Sequence, residues 1–175
     1  NWDMAVDGVQ LGILFNQGQV CCAGSRVFVQ EEIYDKFVAA LVDAFGKVKV
    51  GDPLDPETQM GAQVNRRQAE KILSYVELAK KEGATVACGG NFYTENGCDK
   101  GSFIQPTLIT GVTNDMRVAQ EEIFGPVAVV IKFKTEEEVI AMANDSVYGL
   151  GGAVWTQNLN RALRVAGSIE TGRVW

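Results

Sequence analysis

FNQGQVCCAGSR, residues 15–26, is the stretch at which the pattern of this chain changes. A largely apolar run ends there, and the β-branched and aromatic residues of Val27–Gln30 follow. The change predicts a helix, a tight turn at Gly18, two adjacent cysteines and then a strand. A thiol at such a junction can be exposed at the end of a sheet, and it becomes a nucleophile if backbone amides point at it. The alternative is that Cys21 and Cys22 are small buried hydrophobic residues, as free cysteines usually are.

Helical and strand-like patterns alternate along the rest of the chain, with connections of a few residues. Asn65 can cap one helix, and Thr135 with three following glutamates has the pattern of a capping box. Val127–Phe133 is a nearly continuous apolar run, which is typical of a strand buried on both faces. This alternation predicts an α/β fold with a mostly parallel, doubly wound sheet and helices on both faces. In such sheets we expect ligands at the carboxyl ends of the strands.

Several local patterns give predictions that the structure can test. Residues 2–15 have few charges and predict a buried helix that leads into the cysteines. Phe103–Ile109 predicts a strand, and Pro106 within it predicts a sheet edge or a bulge. Short strands are predicted at Ala153–Trp155 and from Arg173 onward. The helix between them is expected to turn four apolar side chains inward: Leu159, Ala162, Leu163 and Ala166.

Length and composition limit the possible classes of protein. The 175 residues, 46% of them hydrophobic, suffice for one globular domain with a full core. With 16 basic and 22 acidic residues the formal net charge is −6, which disfavours nucleic acid or an anionic membrane surface as a partner. No uninterrupted apolar stretch reaches the roughly 18 residues that a membrane span needs. The chain begins without Met or a basic leader, so we expect a piece of a longer protein.

The cysteines and the absence of histidine narrow the possible chemistry. Cys21, Cys22, Cys88 and Cys98 fit no zinc-binding spacing, and the sequence contains no His. A Cys–His or Ser–His–Asp arrangement is therefore excluded within this chain. A thiol–disulfide oxidoreductase is disfavoured because there is no C-x-x-C motif. We interpret the four residues as reduced thiols of a cytoplasmic protein.

The cysteine segment carries a resemblance to a known family. Its pattern F-x-x-x-G-Q-x-C-x-A-G, from Phe15 to Gly24, resembles the active-site cysteine signature of the NAD(P)-dependent aldehyde dehydrogenase superfamily. The resemblance implies that Cys21 is the nucleophile and that Cys22 occupies a variable position without a catalytic role. It also implies that Phe15 lines the aldehyde-binding tunnel. The resemblance covers essentially the whole chain.

A second block, EEIFGPV at residues 121–127, is similar to another motif of that superfamily. The resemblance implies that Glu122 contacts the nicotinamide ribose and that Phe124 lies close to the nicotinamide. A carboxylate can accept from ribose hydroxyls, and an aromatic face can support a flat ring. Gln68 and Lys71 stand where family members often contact the cofactor ribose. The alternative for these four residues is solvated polar side chains and a core phenylalanine.

The resemblance also implies what the chain lacks. Residues 1–175 would be a single catalytic domain, truncated at both ends, with the nucleotide-binding domain absent. The family's oxyanion-holding Asn and general-base Glu would lie outside the chain, and the isolated fragment would be inactive. The cofactor would be NAD or NADP, bound mainly by the missing domain. The partners would be a small-molecule aldehyde and, at full length, further copies in a homo-oligomer.

The implied reaction is oxidation of an aldehyde to a carboxylic acid through a thiohemiacetal and a thioester on Cys21. Sulfur suits both stages, because a thiolate is strongly nucleophilic and a thioester is readily hydrolysed. Two alternatives stay open at this point. One is an acylating dehydrogenase that passes the acyl group to coenzyme A, and the other is a non-catalytic structural homologue.

Overall fold

The architecture is a four-stranded sheet. The computed structural model describes residues 2–175. Within this range the strand order is β1-β4-β3-β2. The strands are β1 (Arg26–Gln30), β2 (Thr85–Cys88), β3 (Thr107–Thr110) and β4 (Val127–Phe133). Strand β4 runs parallel to both β1 and β3, whereas β2 is antiparallel to β3. The predicted α/β fold with a mostly parallel sheet is confirmed.

Helices cover both faces of this sheet, as predicted. The α-helices in the described range are α1 (Trp2–Leu14), α2 (Tyr34–Gly46), α3 (Arg66–Lys81), α4 (Arg117–Gln120), α5 (Glu136–Asn144) and α6 (Leu159–Ser168). Short 3₁₀ helices occupy Phe15–Gly18, Glu31–Ile33 and Cys98–Lys100. Helices α1 and α2 pack on one face, and α3 and α4 pack on the other. No helix among residues 2–175 combines the length and apolar character needed to cross a bilayer.

The centre of the sheet is β4. Five consecutive residues, Val127 to Ile131, are buried. Ala128 and Val130 belong to the core under α1 and α2, whereas Val127, Val129 and Ile131 belong to the core under α3 and α4. Successive side chains of a strand point to opposite faces, so an unbroken apolar run requires cover on both sides. The prediction of a doubly buried strand is confirmed.

Helix α3 begins at the cap that its sequence predicts, and it buries one face. The side chain of Asn65 accepts a hydrogen bond from the backbone N–H of Gln68 at 2.9 Å, so Asn65 caps the helix. Ala69, Ile72 and Val76 lie at helical spacing and are fully buried. The first turn of α3 is therefore fixed both by its cap and by its packing against the core.

The sheet position predicted from Pro106 is wrong in one respect. Strand β3 begins after the proline, at Thr107, and lies between β4 and β2 rather than at an edge. Pro106 has no backbone N–H, but it precedes the strand and so removes no hydrogen bond from the sheet. The first N–H of the strand, that of Thr107, donates to Pro126 O at 2.8 Å. The bulge is found in the neighbouring strand, where the register shifts between Val86 and Cys88.

The first helix is less buried than its composition predicts. Helix α1 buries Val6, Ile13 and Leu14, while Met4 and Leu11 are exposed. An apolar composition does not determine how much of a helix is buried by its neighbours. In this chain α1 is packed mainly along the side that faces α2. The prediction of a helix leading into the cysteines is confirmed, but its complete burial is not.

The last helix forms as predicted, but its predicted buried face is wrong. Leu159 and Leu163 were expected inside, yet they are 71% and 66% exposed. Helix α6 instead buries Val165, and two of its arginines pair with Glu136 of α5. The amphipathic pattern identified the helix but not which face would find a partner. The two short strands predicted beside it are also not formed, since the chain makes only one isolated bridge there, Gly152 to Val174.

Arg26 joins the start of β1 to the end of α5. Its guanidinium donates to the Asn114 side chain at 2.9 Å and to the carbonyls of Met142 and Ala143 at 3.0 and 2.9 Å. Burial lowers the pKa of this guanidinium, and the charge of Asp145 partly opposes that shift. The planar fork of an arginine is the group that can satisfy three such acceptors together.

We expect Arg26→Lys to lower the free energy of unfolding of this chain by about 2 kcal/mol, because an ammonium cannot reproduce the fork and leaves half-buried acceptors unpaired. Urea denaturation measures the change. Arg67→Lys, at an exposed position of α3, is the matched control and should change stability by less than about 0.5 kcal/mol. Equal effects of the two variants would contradict the role given to Arg26.

Candidate active site

The two cysteines occupy the centre of a β-turn. The N–H of Ala23 donates to Val20 O at 3.1 Å, which places Cys21 and Cys22 at the two middle positions. The N–H of Gly24 donates to Gly12 O at 2.9 Å, so the turn is tied to α1. Cys21 is thereby held at a fixed place on the surface rather than within the core.

The segment before the turn has an unusual backbone. Asn16, Gln17 and Gly18 have φ angles of 48°, 58° and 72°. Glycine adopts such left-handed angles without cost and asparagine does so more readily than most residues, so Gln17 in particular must be held by its surroundings. The predicted tight turn at Gly18 is therefore a longer left-handed segment that ends at Gly18.

The four thiols differ in accessibility. Cys21 is exposed and Cys22 is half-buried, with its Cβ close to Gly151. Cys88 is half-buried, and burial raises the pKa of its thiol. Cys98 is buried. The alternative that both adjacent cysteines are buried hydrophobic residues is therefore wrong for Cys21, whose exposed thiol a reactant can reach.

The second predicted block forms a loop between α4 and β4. Phe124 has a φ of 59°, a left-handed conformation that is uncommon for a residue with a side chain. Gln68 Nε2 donates to the carbonyls of Ile123 and Phe124 at 3.3 and 2.8 Å. Lys71 Nζ donates to Glu122 O at 3.2 Å. Side chains of helix α3 thus bind the backbone carbonyls of this loop.

The two acidic residues of this loop have different surroundings. Glu121 accepts from Arg117 and, at 2.9 Å, from Tyr75, and its pKa is lowered chiefly by the Arg117 hydrogen bond. The pKa of Tyr75 is raised, first by burial and then by its hydrogen bond to Glu121. Glu122 is exposed, and in the part of the chain that the structure describes its carboxylate has no partner. The second glutamate is therefore the one available to a ligand.

The cysteine segment and this loop meet at their backbones. A Cβ added to Gly18 would overlap the carbonyl group of Gly125. The contact follows from the topology, because each segment directly precedes a strand and those strands, β1 and β4, are parallel neighbours. Both segments therefore lie at the amino ends of their strands. The candidate residues of these two loops are therefore not at the carboxyl ends of the strands, where we expected ligands.

The chain just before α3 also holds the cysteine segment. The N–H of Val64 donates to Gln19 Oε1 at 3.2 Å, and that of Gly61 to Gln17 Oε1 at 3.4 Å. Gln63 Nε2 lies 3.5 Å from Gln17 O. The sequence contained one signal for these contacts, the amide side chains of Gln17 and Gln19 inside the cysteine motif, but nothing in it marked Gln63 as a donor to the Gln17 carbonyl.

The predicted site residues lie in two groups. Near the start of α3, Gln68 and Lys71 contact the loop that contains Glu122 and Phe124. The loop follows these two helix residues by more than fifty positions in the chain. Phe15 is 65% exposed at the start of the 3₁₀ helix that leads to Cys21. Residues 2–175 contain no group of three or more side chains placed to bind a metal ion.

The exposed thiol of Cys21 and the exposed carboxylate of Glu122 thus lie on two segments whose backbones touch at Gly18 and Gly125. Comparison with known sequences identifies the family. The model of the Aldehyde dehydrogenase family matches residues 1–175. The chain belongs to that family.

Individual relatives agree with this assignment. The chain is 50% identical to a betaine aldehyde dehydrogenase of Brucella anthropi over 173 residues, which are 99% of this chain and 36% of that protein. It is similar to betaine aldehyde dehydrogenase from Staphylococcus aureus in complex with NAD+, with a TM-score of 0.98, 46% identity, and coverage of 100% of this chain and 35% of the other. A mutant aldehyde dehydrogenase from Bacillus cereus gives a TM-score of 0.95 and 47% identity, with the same coverage. The chain thus spans about a third of the length of these relatives.

Gly18→Ala should destabilise this chain by about 3 kcal/mol, because it combines a left-handed φ with an overlap of the new methyl group and Gly125 O. Gly46→Ala is the control, since a Cβ at Gly46 in α2 meets nothing within 4 Å. This variant should stabilise the chain by up to about 1 kcal/mol, because alanine has a higher helix propensity than glycine. Urea denaturation gives both values. A Gly18→Ala variant as stable as the parent would contradict the backbone contact.

Brief treatment of this chain with iodoacetamide at neutral pH should alkylate Cys21 before Cys88 and Cys98. Cys21 is exposed, whereas Cys98 is buried and the raised pKa of Cys88 leaves less of its thiolate. Peptide mapping by mass spectrometry gives the order. Modification of Cys88 or Cys98 first would show that the described accessibility does not control reactivity.

Proposed function

We propose that this chain is the cysteine-bearing catalytic part of an enzyme that oxidises an aldehyde to a carboxylic acid with NAD(P). The observation that carries the proposal is the backbone contact between the segment bearing exposed Cys21 and the loop bearing Glu122 and Phe124. Because the chain belongs to the aldehyde dehydrogenase family, we interpret this contact as bringing the nucleophile next to the cofactor-binding loop. Residues 1–175 are proposed to form one catalytic domain, and the nucleotide-binding domain is proposed to lie outside them.

The groups of the Glu122 loop fit a nicotinamide ribose. The exposed Glu122 carboxylate can accept from two hydroxyls, and the half-buried Phe124 ring can support a flat heterocycle. Lys71 Nζ has three hydrogens, of which the Glu122 carbonyl takes one, so it can also donate to the cofactor. A bound nicotinamide would supply the hydride acceptor that the oxidation requires.

Cys21 performs the covalent steps of the proposed reaction. Its thiolate attacks the aldehyde carbon, and the resulting oxyanion is held by the Cys21 backbone N–H together with a donor from outside this chain. Phe15 lines the approach of the aldehyde. After oxidation the carbon remains on sulfur as a thioester, which water hydrolyses to the acid and the free thiol. The base that activates this water also comes from outside residues 1–175, so this chain alone is inactive.

The printed names of the relatives suggest which reactants to test first. Betaine aldehyde is proposed as the first substrate because relatives at 46–50% identity are named betaine aldehyde dehydrogenases. NAD is proposed over NADP because similar structures were determined in complex with NAD+. The acylating alternative is distinguished by product, since it would release an acyl-coenzyme A in place of the acid.

We further propose a cytoplasmic protein that is a homo-oligomer at full length. Four unpaired cysteines support a reducing compartment. Large exposed apolar side chains near the end of the chain support cover by another part of the protein or by a second copy: Trp155, Leu159, Leu163 and Trp175.

In the full-length protein, Cys21→Ala should reduce NAD-dependent oxidation of betaine aldehyde by a factor of about a thousand or more, because no other group can form the thioester. Cys22→Ala is the matched control and should keep activity within about threefold. NADH absorbance measures the rate, and circular dichroism checks folding. Equal loss in both variants would contradict the assignment of Cys21, and NADH formation by residues 1–175 alone would contradict the need for the remaining chain.

A further inference from the structure

We propose that Gln68 is a positioning residue, whose amide hydrogens hold Phe124 in the left-handed conformation that sets the ring for the cofactor. The functional half of this statement rests on the proposed function. The conformational half concerns the chain without any ligand. Gln68 would then act on the cofactor through Phe124 and not by donating to it.

The first step of the argument is the donor count of the amide. A glutamine amide has two hydrogens, and Nε2 of Gln68 has two acceptors, Ile123 O at 3.3 Å and Phe124 O at 2.8 Å. Both hydrogens are therefore used inside the protein. A cofactor oxygen could take one only by displacing a loop carbonyl.

The second step concerns the residue that is held. Phe124 has a φ of 59°, and a residue with a side chain keeps such an angle only where its surroundings enforce it. The shorter of the two Gln68 contacts is to the carbonyl of this same residue. The hydrogen bond therefore acts on the peptide group that directly follows the left-handed residue.

The third step is the rigidity of the group that holds it. Gln68 lies in the first turn of α3, and its own N–H is bound by the capping side chain of Asn65 at 2.9 Å. One turn later, fully buried Ile72 fills the space where a Cβ on Gly125 would stand. The helix is thus packed directly against the loop, and Gln68 extends from a fixed base.

The fourth step links the loop to the thiol. Gly125, next to Phe124, has its carbonyl against Gly18 of the cysteine segment. A relaxation of Phe124 out of its left-handed conformation would move this carbonyl relative to Gly18. Gln68 therefore helps to set the position of the ring relative to the turn that bears Cys21.

The test compares three variants of the full-length protein. Gln68→Met keeps the length of the side chain and removes both donors, whereas Gln68→Lys keeps a donor. Gln120→Met is the matched control, because Gln120 Nε2 also donates to two carbonyls, those of Asn114 and Asp145, at 2.6 and 3.0 Å. Hydrogen exchange is measured without cofactor on peptides covering residues 121–127. Steady-state kinetics with NAD and betaine aldehyde follow.

We expect exchange in residues 121–127 to be about tenfold faster in Gln68→Met, as for the loss of one net hydrogen bond, and close to the parent in Gln120→Met and Gln68→Lys. The KM for NAD should rise about five- to tenfold in Gln68→Met, while the KM for the aldehyde stays within about twofold. A rise in the KM for NAD without a comparable rise in the KM for the aldehyde distinguishes positioning of the ring from general destabilisation.

Three results would overturn the proposal. Unchanged exchange with a raised KM for NAD would mean that Gln68 contacts the cofactor directly. Equal acceleration in Gln68→Met and Gln120→Met would mean general loosening. Exchange in Gln68→Lys as fast as in Gln68→Met would show that the donor is not what holds the loop. Faster exchange confined to Gln68→Met, with no NAD-dependent activity even in the parent, would support the positioning role and refute the proposed function instead.

Discussion

The parallel pairing of β1 with β4 is the constraint on which the candidate site depends. Parallel neighbours begin at the same edge of a sheet, so the segments that enter them are forced together. In this chain those segments carry Cys21 and Phe124, which are about a hundred positions apart in sequence. The burial of β4 on both faces fits its interior place in the sheet, where it pairs with β1 on one side and β3 on the other.

Irregular segments held against each other need partners for their backbone groups, and here amide side chains supply many of them. Gln17 and Gln19 accept from the chain before α3, and Gln68 donates to the loop before β4. The same region of the chain, residues 61–68, therefore contacts both segments of the site. Left-handed angles at Asn16 and Phe124 are tolerated within this framework, because strained residues persist where the surrounding structure holds them.

Features that depend on local pattern could be predicted from the sequence. The apolar run of β4, the Asn65 cap and the Thr135 capping box each depend on neighbouring residues, and each is present. The place of β3 in the sheet and the exposed face of α6 depend on which distant element packs where, and the predictions for these were wrong.

The same distinction applies to the site. A motif resemblance selected Cys21, Glu122, Phe124, Gln68 and Lys71, and the last four do lie together. It could not reveal that the nitrogens of Gln68 and Lys71 bind loop carbonyls, or that Gly18 contacts Gly125, because these contacts exist only once the two loops are brought to one edge.

The choice of backbone atoms as partners has a consequence for how such a site can change over time. A bond between two side chains constrains two positions of a sequence, and both must change together. A bond from Gln68 to the carbonyl of Ile123, or from the N–H of Val64 to Gln19, constrains only the glutamine, since every residue offers that carbonyl and every residue except proline offers that N–H. The partner positions can therefore accept new side chains one at a time while the loops keep their geometry.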